Sequence, residues 1–467
     1  MTGDSGHASA PVSGIHNKRS LYGALGGTLF LRIGGGVMGI LTGLFLAAKN
    51  GESDTIHITA VLVGIVTASF FITELGGSFV AGGLIDHHGP RRYMILGPLF
   101  GAAAMLITGF LNPGDTPLQF MAFLLMLVVA RLLEGSAAAA ANPASLALIA
   151  VYTSDDPKLR SKISGYFELA TLLGGIIGFI IGGRLWDAFG QNAFLLNIAF
   201  YLASAVIFFT VDSVKPHESA ESQSHNLKAY AGLVAKPRLR ELVPAWLCVS
   251  ALLGVLFNHA TFQLSRMHPR RIDEAVGGNI PFPGQTLSHA FNGSQVGYVF
   301  GLYAVAFGVG IFVWSLIVPR MRKSTALLIS TFGIIGASGV IFLINHTGPI
   351  EEPSTLRLVL IPLMIIMVMI ESGFTPAALI YLSDMSELYP AQRGMVMGLY
   401  SFLFGFGQLA GSILAGPFAD WQGIDGLLLF MVILAVLGIF SVLLLRRDEQ
   451  IAHEGLRATA TAPAAGR

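Results

Sequence analysis

The chain has 467 residues, of which 53% are hydrophobic and only 12% are charged, and its mean hydropathy is +0.68. Soluble domains carry about 25% charged residues, so this composition excludes an ordinary soluble protein and predicts a polytopic membrane protein. A net charge of +1 gives no indication of a nucleic-acid partner, and the single cysteine, Cys248, excludes an intramolecular disulfide framework.

Residues 1–20 are polar and lack the small-residue cleavage site that follows the apolar core of a signal peptide. We therefore expect a cytoplasmic tail there, and the first apolar run itself directs insertion. Twelve apolar runs follow, each able to cross a hydrocarbon core of ~30 Å as a helix, which is the default in lipid. They lie at about 21–48, 56–84, 93–112, 118–150, 162–186, 193–212, 242–264, 296–318, 325–345, 356–382, 394–418 and 426–445.

A short polar segment, Gly82 to Arg92, separates the second and third runs. Gly89 tolerates a positive φ and Pro90 cannot continue a helix, so the pair predicts a tight turn. The segment resembles the motif between helices two and three of the major facilitator superfamily, here Gly82-x-Leu84-Ile85-Asp86-x-x-Gly89-x-Arg91-Arg92.

The resemblance implies that Asp86 meets the cytoplasmic start of the eleventh helix, near Arg393. A carboxylate at a helix amino end contributes ~0.3–1 kcal/mol, so the contact would hold the two halves together on the inner side. The alternative is a solvated turn residue. The predicted conformational latch comprises Gly82, Asp86, Gly89, Arg91, Arg92 and Arg393.

Two further motifs lie in the fourth and fifth runs. Arg131-Leu-Leu-Glu134-Gly135 resembles the fourth-helix motif of the superfamily's proton antiporters, with Glu134 in place of its glutamine. The fifth run resembles their antiporter motif through Gly174, Gly178, Gly182 and Gly183, except that Phe179 stands where the family has proline. The resemblance implies an all-α fold of twelve transmembrane helices in two six-helix bundles, similar to the drug/proton antiporter group.

Placing the amino terminus inside puts most lysines and arginines on one side, which sets the orientation of the chain. We therefore predict a multi-pass protein of the plasma (inner) membrane with both termini in the cytoplasm. The cytoplasmic cations are Lys18, Arg19, Arg91, Arg92, Lys158, Arg160, Lys162, Lys236, Arg238, Arg240, Arg320, Arg322, Lys323, Arg393, Arg446 and Arg447.

The two halves of the chain repeat each other. A shift of 233 residues lays Pro143 to Gly190 on Pro376 to Gly423 without a gap, and parallel six-helix repeats are typical of alternating-access carriers. The predicted organisation is a bundle over 21–212, a linker over 213–241 with an amphipathic surface helix, a bundle over 242–446 and a cytoplasmic tail over 447–467. The coinciding pairs include Pro157/Pro390, Arg160/Arg393, Gly174/Gly407, Gly178/Gly411, Gly183/Gly416, Asp187/Asp420 and Gly190/Gly423.

Small residues recur every four positions in three runs, and such stripes let helices in lipid approach closely. They serve either packing alone or also sliding of the two halves. The stripes are Gly35/Gly39/Gly43, Gly174/Gly178/Gly182 and Gly407/Gly411/Ala415.

Ionisable residues inside the membrane are costly and mark candidate functional positions. Arg32 and Glu74 lie at comparable depths, and Arg131 and Glu134 share a helix face, so each pair either forms a structural ion bridge or serves transport. We predict Arg32, Glu74, Arg131 and His259 as substrate-cavity residues, although His259 near a helix end also fits a purely interfacial role.

Glu168 and Glu371 are left without an obvious partner, one in each half. An apolar site penalises the charged form of a carboxylate, so such a group holds a proton at rest. We predict Glu371, Glu134 and Glu168 as proton-coupling residues; alternatively, Glu371 only hydrogen-bonds a neighbour. Ser372-Gly373 directly after Glu371 predicts a break in the helix. Several aromatic residues of the spans either stack on an apolar or cationic guest or, for most of them, only pack or face lipid: Phe30, Phe70, Phe71, Phe167, Tyr298, Tyr303, Tyr381 and Tyr400.

These features predict a monomeric secondary transporter that exports a neutral or cationic amphiphile of small size by proton antiport, with no cofactor besides the proton gradient. Uptake of an anionic metabolite through Arg32 and Arg131 is the first alternative, and a non-transporting receptor or assembly factor is the second. The long outer loop, about 265–293, fits either a lid or disorder. An enzyme is not expected, because the sequence has no Gly-Lys pair for a phosphate loop and no metal-ligand cluster.

Overall fold

The computed structural model describes residues 14–52, 57–154, 156–213, 232–267, 282, 284–348, 352, 354–388 and 393–461. Within these ranges the chain is built of helices, and extended pairing is limited to an isolated bridge between Ser265 and Phe291. The predicted all-α membrane fold is therefore confirmed. Most of the predicted linker (214–231) and much of the outer loop fall outside the described residues.

In the first half, the first helix begins earlier than predicted and the turn between the second and third helices is shorter than predicted. Its first helix starts at Gly14, inside the predicted tail. The second helix runs on through Asp86, so the predicted polar turn narrows to Gly89, which has φ 81° and donates its N–H to Ile85 O at 2.8 Å. The helices are α1 (Gly14–Lys49), α2 (Ala60–His88), α3 (Pro90–Gly109), α4 (Pro117–Tyr152), α5 (Pro157–Phe189) and α6 (Ala193–Phe209).

The second half contains two interruptions inside its spans. A π-helical turn, Leu256–Ala260, interrupts the seventh span, and the tenth span breaks at Ser372 and Gly373, where the sequence predicted a break. The helices are α7 (Pro237–Val255), α8 (Thr261–Leu264), α9 (Gly293–Ile317), α10 (Lys323–Asn345), α11 (Thr355–Glu371), α12 (Phe374–Leu388) and α13 (Arg393–Thr461).

Ten helical segments of the described chain are long and apolar enough to cross a membrane, but two of them are too long for one crossing. Leu399–Arg447 has 49 residues, which at 1.5 Å per residue would extend ~74 Å, more than twice the hydrocarbon core. It reverses at Gly423 (φ 54°, ψ −129°), and Lys158–Phe209 reverses at Gly190 (φ 53°, ψ −132°). Each of these segments therefore supplies two crossings, which gives the twelve predicted spans.

Each half has its own apolar core, and two helix pairs form most of the contact between the halves. Phe45 lies at the centre of the first core and contacts the rings of Phe123 and Phe194. Trp246 lies in the second core and contacts the ring of Tyr400. Between the halves, α5 packs on α9 and α2 packs on α13.

Candidate transport site

A buried ion pair lies in the first half. Arg131 and Glu134, both about 5% exposed, are joined through Arg131 Nη1 and a carboxylate oxygen, as their spacing on α4 predicted. The guanidinium carbon also lies 5.1 Å from the ring centroid of Phe70 on α2. Both charges are therefore withdrawn from water and balance each other.

The crossing of α2 and α4 positions this pair. A side chain at Gly135 would collide with Phe70 O, so glycine lets the two backbones approach there. One turn away, the Thr73 hydroxyl donates to Leu132 O at 2.7 Å. Because these contacts set the register of α2 against α4, the Phe70 ring is held over Arg131.

The other ionisable groups of the first half surround this crossing. Arg32 on α1 interacts electrostatically with Glu74 and Glu168, but it forms no ion pair with either in the described part of the chain. Its Nε is buried without a hydrogen-bond partner there. Glu168 is exposed, and its charge also acts on Tyr400 of the second half, which places this carboxylate beside the space between the halves.

The second half contains one deep carboxylate with a specific partner. The Tyr303 hydroxyl on α9 donates to Glu371 Oε1 at 2.7 Å. Tyr303 is itself fixed by ring contacts with Phe307 at 5.8 Å and Phe257 at 5.9 Å. None of the described basic side chains forms an ion pair with Glu371. Glu371 is half-buried, whereas Glu134 is buried, and it differs from Glu134 in having no cationic partner.

Glu371 borders two cavities inside the second half. The smaller one, about 30 Å³, lies against Phe374 and Met431. The larger one, about 400 Å³, extends from Glu371 and Tyr303 along apolar side chains to Arg357. The larger volume falls in the range of sites for small organic molecules.

His259 lies in the contact between the halves. It is fully buried within the π-helical turn, and its Nε2–H donates to Ser412 O at 2.7 Å. A side chain at Gly64 on α2 would crowd both His259 and the Ser412 carbonyl. His259 therefore packs where three spans meet, and its role as a substrate-cavity residue stays a prediction.

Two aspartates join the halves at one end of the molecule, which we call the clamped end. Asp187, at the end of α5, accepts the N–H groups of Gly293 and Ser294 of α9 at 2.8 Å each. Asp420, in α13, accepts those of Ala60 and Val61 of α2 at 2.5 and 3.1 Å. Each half thus caps a helix of the other.

The predicted latch lies at the opposite end. Asp86 is exposed, and the side chain of Arg393, its predicted partner, is outside the described part of the chain, so the latch stays a prediction. Arg91 donates to Phe209 O at 2.6 Å and lies over that ring, which anchors the turn to α6 of its own half. Gly82 faces open space, Gly89 forms the turn and Arg92 is exposed.

The glycines of the antiporter-like motif form the seam between α5 and α1. A Cβ on Gly174 would lie 2.6 Å from Arg32 Cβ, and one on Gly182 would lie 3.0 Å from Val37 Cα. Gly178 meets Gly36, one residue from the predicted Gly35, which has nothing within 4 Å. Gly183 contacts Gly293 and so belongs to the seam between the halves.

Two tyrosines of these sites did not stand out in the sequence. Tyr303 was one aromatic residue among many, and its bond to Glu371 joins residues 68 positions apart. Tyr201 on α6 is about 1% exposed and interacts electrostatically with Glu134, Arg131 and Arg32. A phenol inside an apolar run, where a hydroxyl needs a partner, is the signal that marks such residues.

Relatives of the chain include two multidrug resistance proteins and an uncharacterised transporter, all of Bacillus subtilis. Multidrug resistance proteins 1 and 2 are 32% and 29% identical over 165 and 191 residues, which are 35% and 39% of this chain. The chain spans about two fifths of the length of these two relatives (39% and 43%). The uncharacterised MFS-type transporter YvkA is 23% identical over 455 residues, 90% of this chain and 95% of that protein.

Solved transporter structures share the fold. The nucleoside transporter NupG has a TM-score of 0.66 at 14% identity, covering 91% of this chain and 98% of that one. A bacterial homologue of the lysosomal transporter Spinster, in an inward-facing and unoccupied conformation, has a TM-score of 0.65 at 13% identity, covering 93% and 97%. The family model of the major facilitator superfamily matches residues 25–270 and 274–466. The chain therefore belongs to the major facilitator superfamily, a family of multi-pass membrane transporters.

Proposed function

We infer that this protein is a proton-coupled antiporter of the plasma membrane that exports a neutral or cationic amphiphile by alternating access. The observation that carries the proposal is Glu371, a carboxylate deep in the second half whose hydrogen-bond donor is a neutral tyrosine. An acid without a cationic partner can exchange its proton for a cationic or hydrogen-bonding guest. Glu134 cannot do so as readily, because Arg131 already compensates its charge.

The contacts between the halves support alternating access. The halves are joined at the clamped end, whereas Asp86 at the other end is exposed. The distribution of lysine and arginine assigns the Asp86 end to the cytoplasm, so this arrangement corresponds to a carrier that faces inward. The names of the two multidrug resistance relatives also favour export over uptake.

The anion-uptake alternative requires a free Arg131. In the structure this guanidinium is bonded to Glu134 and covered by Phe70, so an incoming carboxylate would have to displace a buried partner. Both arginines keep a buried Nε without a hydrogen-bond partner among the described residues, so Arg32 differs from Arg131 only in having no ion pair there.

Transport by purified protein in liposomes tests the proposal. A quaternary ammonium dye is the substrate, because it cannot be trapped by protonation. Vesicles that are acidic inside should accumulate the dye and lose protons, and reversing the gradient should reverse the flux. Glu371→Gln should abolish gradient-driven flux, whereas Glu352→Gln, an exposed glutamate outside the spans, should leave it intact.

Each alternative has its own result in this assay. Dye flux that ignores the gradient contradicts proton coupling. Gradient-driven movement of an organic anion, lost in both Arg32→Gln and Arg131→Gln, supports uptake of an anion instead. A folded protein that moves neither class of compound supports a non-transporting role.

A further inference from the structure

An arginine of the first half meets a tyrosine of the second half at the clamped end. Arg184, near the end of α5, donates its Nε–H to the Tyr298 hydroxyl oxygen at 2.9 Å, and its Nη2 donates to the same oxygen. The guanidinium carbon lies 5.4 Å from the centroid of the Tyr298 ring. These contacts fix the guanidinium across the seam between α5 and α9, although both side chains are exposed.

The Arg184–Tyr298 pair can only donate hydrogen bonds to a further partner. A hydroxyl carries one proton and two lone pairs, and Arg184 uses both lone pairs of Tyr298. The proton of that hydroxyl and the Nη1 group of Arg184 have no partner among the described residues. Because arginine has no acceptor and keeps its positive charge, the remaining donors of the pair suit an anion with oxygen acceptors.

The neighbouring acid on α5 does not pair with this charge. Asp187 lies one turn beyond Arg184, and its carboxylate accepts the N–H groups of Gly293 and Ser294 instead. No ion pair joins Arg184 to an acid within the part of the chain that the structure describes. The guanidinium charge at this seam is therefore open to an anion from outside the protein.

The pair lies on the lipid side of the seam. Phe179 and Phe300 lie about 140° and 160° round their helices from Arg184 and Tyr298, at 100° per residue. Their rings contact each other and that of Phe257, which closes the side towards the centre of the molecule. On the side of the pair, exposed apolar residues continue along both helices and form two apolar stripes, Leu302, Val305 and Val309 on α9 and Ile177 and Leu173 on α5.

The depth of the pair matches that of lipid head groups. The 25 residues of α9 extend about 37 Å at 1.5 Å per residue, so the helix ends pass beyond a hydrocarbon core of ~30 Å. Tyr298 lies on the second turn of α9, close to such an end. Arginine and tyrosine are residues that anchor spans at this level.

We propose that Arg184 and Tyr298 bind the phosphodiester of an anionic phospholipid in the leaflet at the clamped end, with its acyl chains along the two apolar stripes. Arg184 Nη1 and the Tyr298 hydroxyl donate to the phosphate oxygens, and hydrogen bonds of this kind are strengthened by charge. The lipid meets both donors only while α5 and α9 are together, so its binding stabilises the clamped arrangement over the separated one. This site is independent of Glu371 and of proton coupling.

Two other interpretations predict different results. If the pair only ties the halves together, its loss loosens the clamped end equally with and without the lipid. If it binds any small phosphate, inorganic phosphate competes with the lipid, because it offers the same oxygen acceptors without acyl chains.

Native mass spectrometry of the purified full-length protein in detergent measures lipid binding directly. Phosphatidylglycerol should bind more tightly than phosphatidylcholine, which has a phosphodiester but no net charge. Arg184→Gln should weaken phosphatidylglycerol binding about fivefold, and Tyr298→Phe should weaken it about two- to tenfold. Arg357→Gln is the matched control, since it removes a positive charge from the same end but one that Thr347 Oγ1 and Gly348 O already engage, at 3.0 Å each.

Spin labels at Asn192→Cys and Thr355→Cys in a Cys248→Ser background measure the effect on the two halves. Phosphatidylglycerol should increase the fraction at short distance, and Arg184→Gln should remove that increase. A loss of this fraction in Arg184→Gln that is the same with and without lipid would overturn the lipid's role and leave the pair as a tie between the halves.

Phosphatidylglycerol affinity that is unchanged in both Arg184→Gln and Tyr298→Phe overturns the inference, as does an equal loss in Arg357→Gln. Equal binding of phosphatidylcholine, or displacement of the lipid by excess inorganic phosphate, contradicts an anionic phospholipid as the occupant. If Arg184→Gln does not elute as a monodisperse protein, Tyr298→Phe, which keeps the ring beside the guanidinium, decides alone.

Discussion

Asp187 and Asp420 lie 233 residues apart and make the same contact in opposite directions across the molecule. Each carboxylate accepts the first two backbone N–H groups of a helix in the other half, α9 for Asp187 and α2 for Asp420. The third position of each helix start is satisfied locally, by Asn292 for α9 and Thr59 for α2. Since the first four N–H groups of a helix have no partner within it, the aspartates complete these two caps.

Removing either carboxylate should loosen the clamped end. Both aspartates are exposed, so Asp187→Asn and Asp420→Asn should each cost about 0.3–1 kcal/mol, an about two- to fivefold shift toward separated halves. The shift should be close to additive in the double variant, because the two contacts share no partner. Spin labels at Asn192→Cys and Thr355→Cys in a Cys248→Ser background would report the distance between the halves.

Asp425→Asn is the matched control for this experiment. Asp425 bonds Asn345 and His346 within the second half and does not bridge the halves. It should leave the distance distribution unchanged. If the control and the clamp variants behave alike, the clamps do not set the equilibrium.

The repeat was visible in the sequence, but its consequence was not. The shift of 233 residues paired Gly190 with Gly423, and the structure gives both the same positive-φ backbone, which only glycine adopts without strain. It also paired Asp187 with Asp420. Matching residues in the two halves show that two positions are equivalent, but they do not show which groups those residues contact. That each aspartate caps a helix of the other half was therefore seen only in the structure.

For a related reason, the sequence did not show which face of α1 packs against its neighbour or that a cavity lies beside Glu371. The stripe of small residues predicted that α1 packs closely on another helix, yet the contact uses Gly36 and leaves Gly35 free. Adjacent helical positions lie about 100° apart, and a run rich in glycine fits either phase. The cavity beside Glu371 is lined by residues that lie far apart in the sequence, between Val255 and Met431, and no local pattern encodes such a volume.

Neighbouring glycines of α5 should differ sharply in their tolerance of alanine. A Cβ added to Gly178 would collide with Ile33 O and would lie 2.8 Å from Gly36 Cα. Gly178→Ala must therefore push two backbones apart. Overpacking of this kind costs about 1–3 kcal/mol. Gly175 has nothing within 4 Å of an added Cβ, and Gly175→Ala should be neutral or stabilise by up to about 1 kcal/mol. Thermal unfolding in detergent compares the two, and equal midpoints would contradict the packing of α1 on α5.

The buried pair Arg131–Glu134 should show strong coupling in stability. Arg131→Met leaves an uncompensated carboxylate and Glu134→Leu an uncompensated guanidinium, and breaking a buried pair in this way costs about 3–5 kcal/mol. The double variant should recover much of that loss, because no lone charge remains. Thermal unfolding of the four proteins completes the cycle. If the stability losses of the two single variants simply add in the double variant, the two charges are solvated separately and do not stabilise each other.

Asp86 should act on the same equilibrium as the clamps, but with the opposite sign. If its carboxylate caps the eleventh span when the carrier faces outward, Asp86→Asn weakens that state and favours the clamped arrangement. The labels at positions 192 and 355 should then report a larger fraction at short distance, by about two- to fivefold for one carboxylate at a helix amino end.

Asp384→Asn, whose ion pair with Lys323 lies within the second half at the same end, is the control. Because Asp86 and the clamps would stabilise opposite states, combining Asp86→Asn with Asp187→Asn should restore the original distribution. An unchanged distance distribution in Asp86→Asn would instead assign Asp86 to the solvated turn.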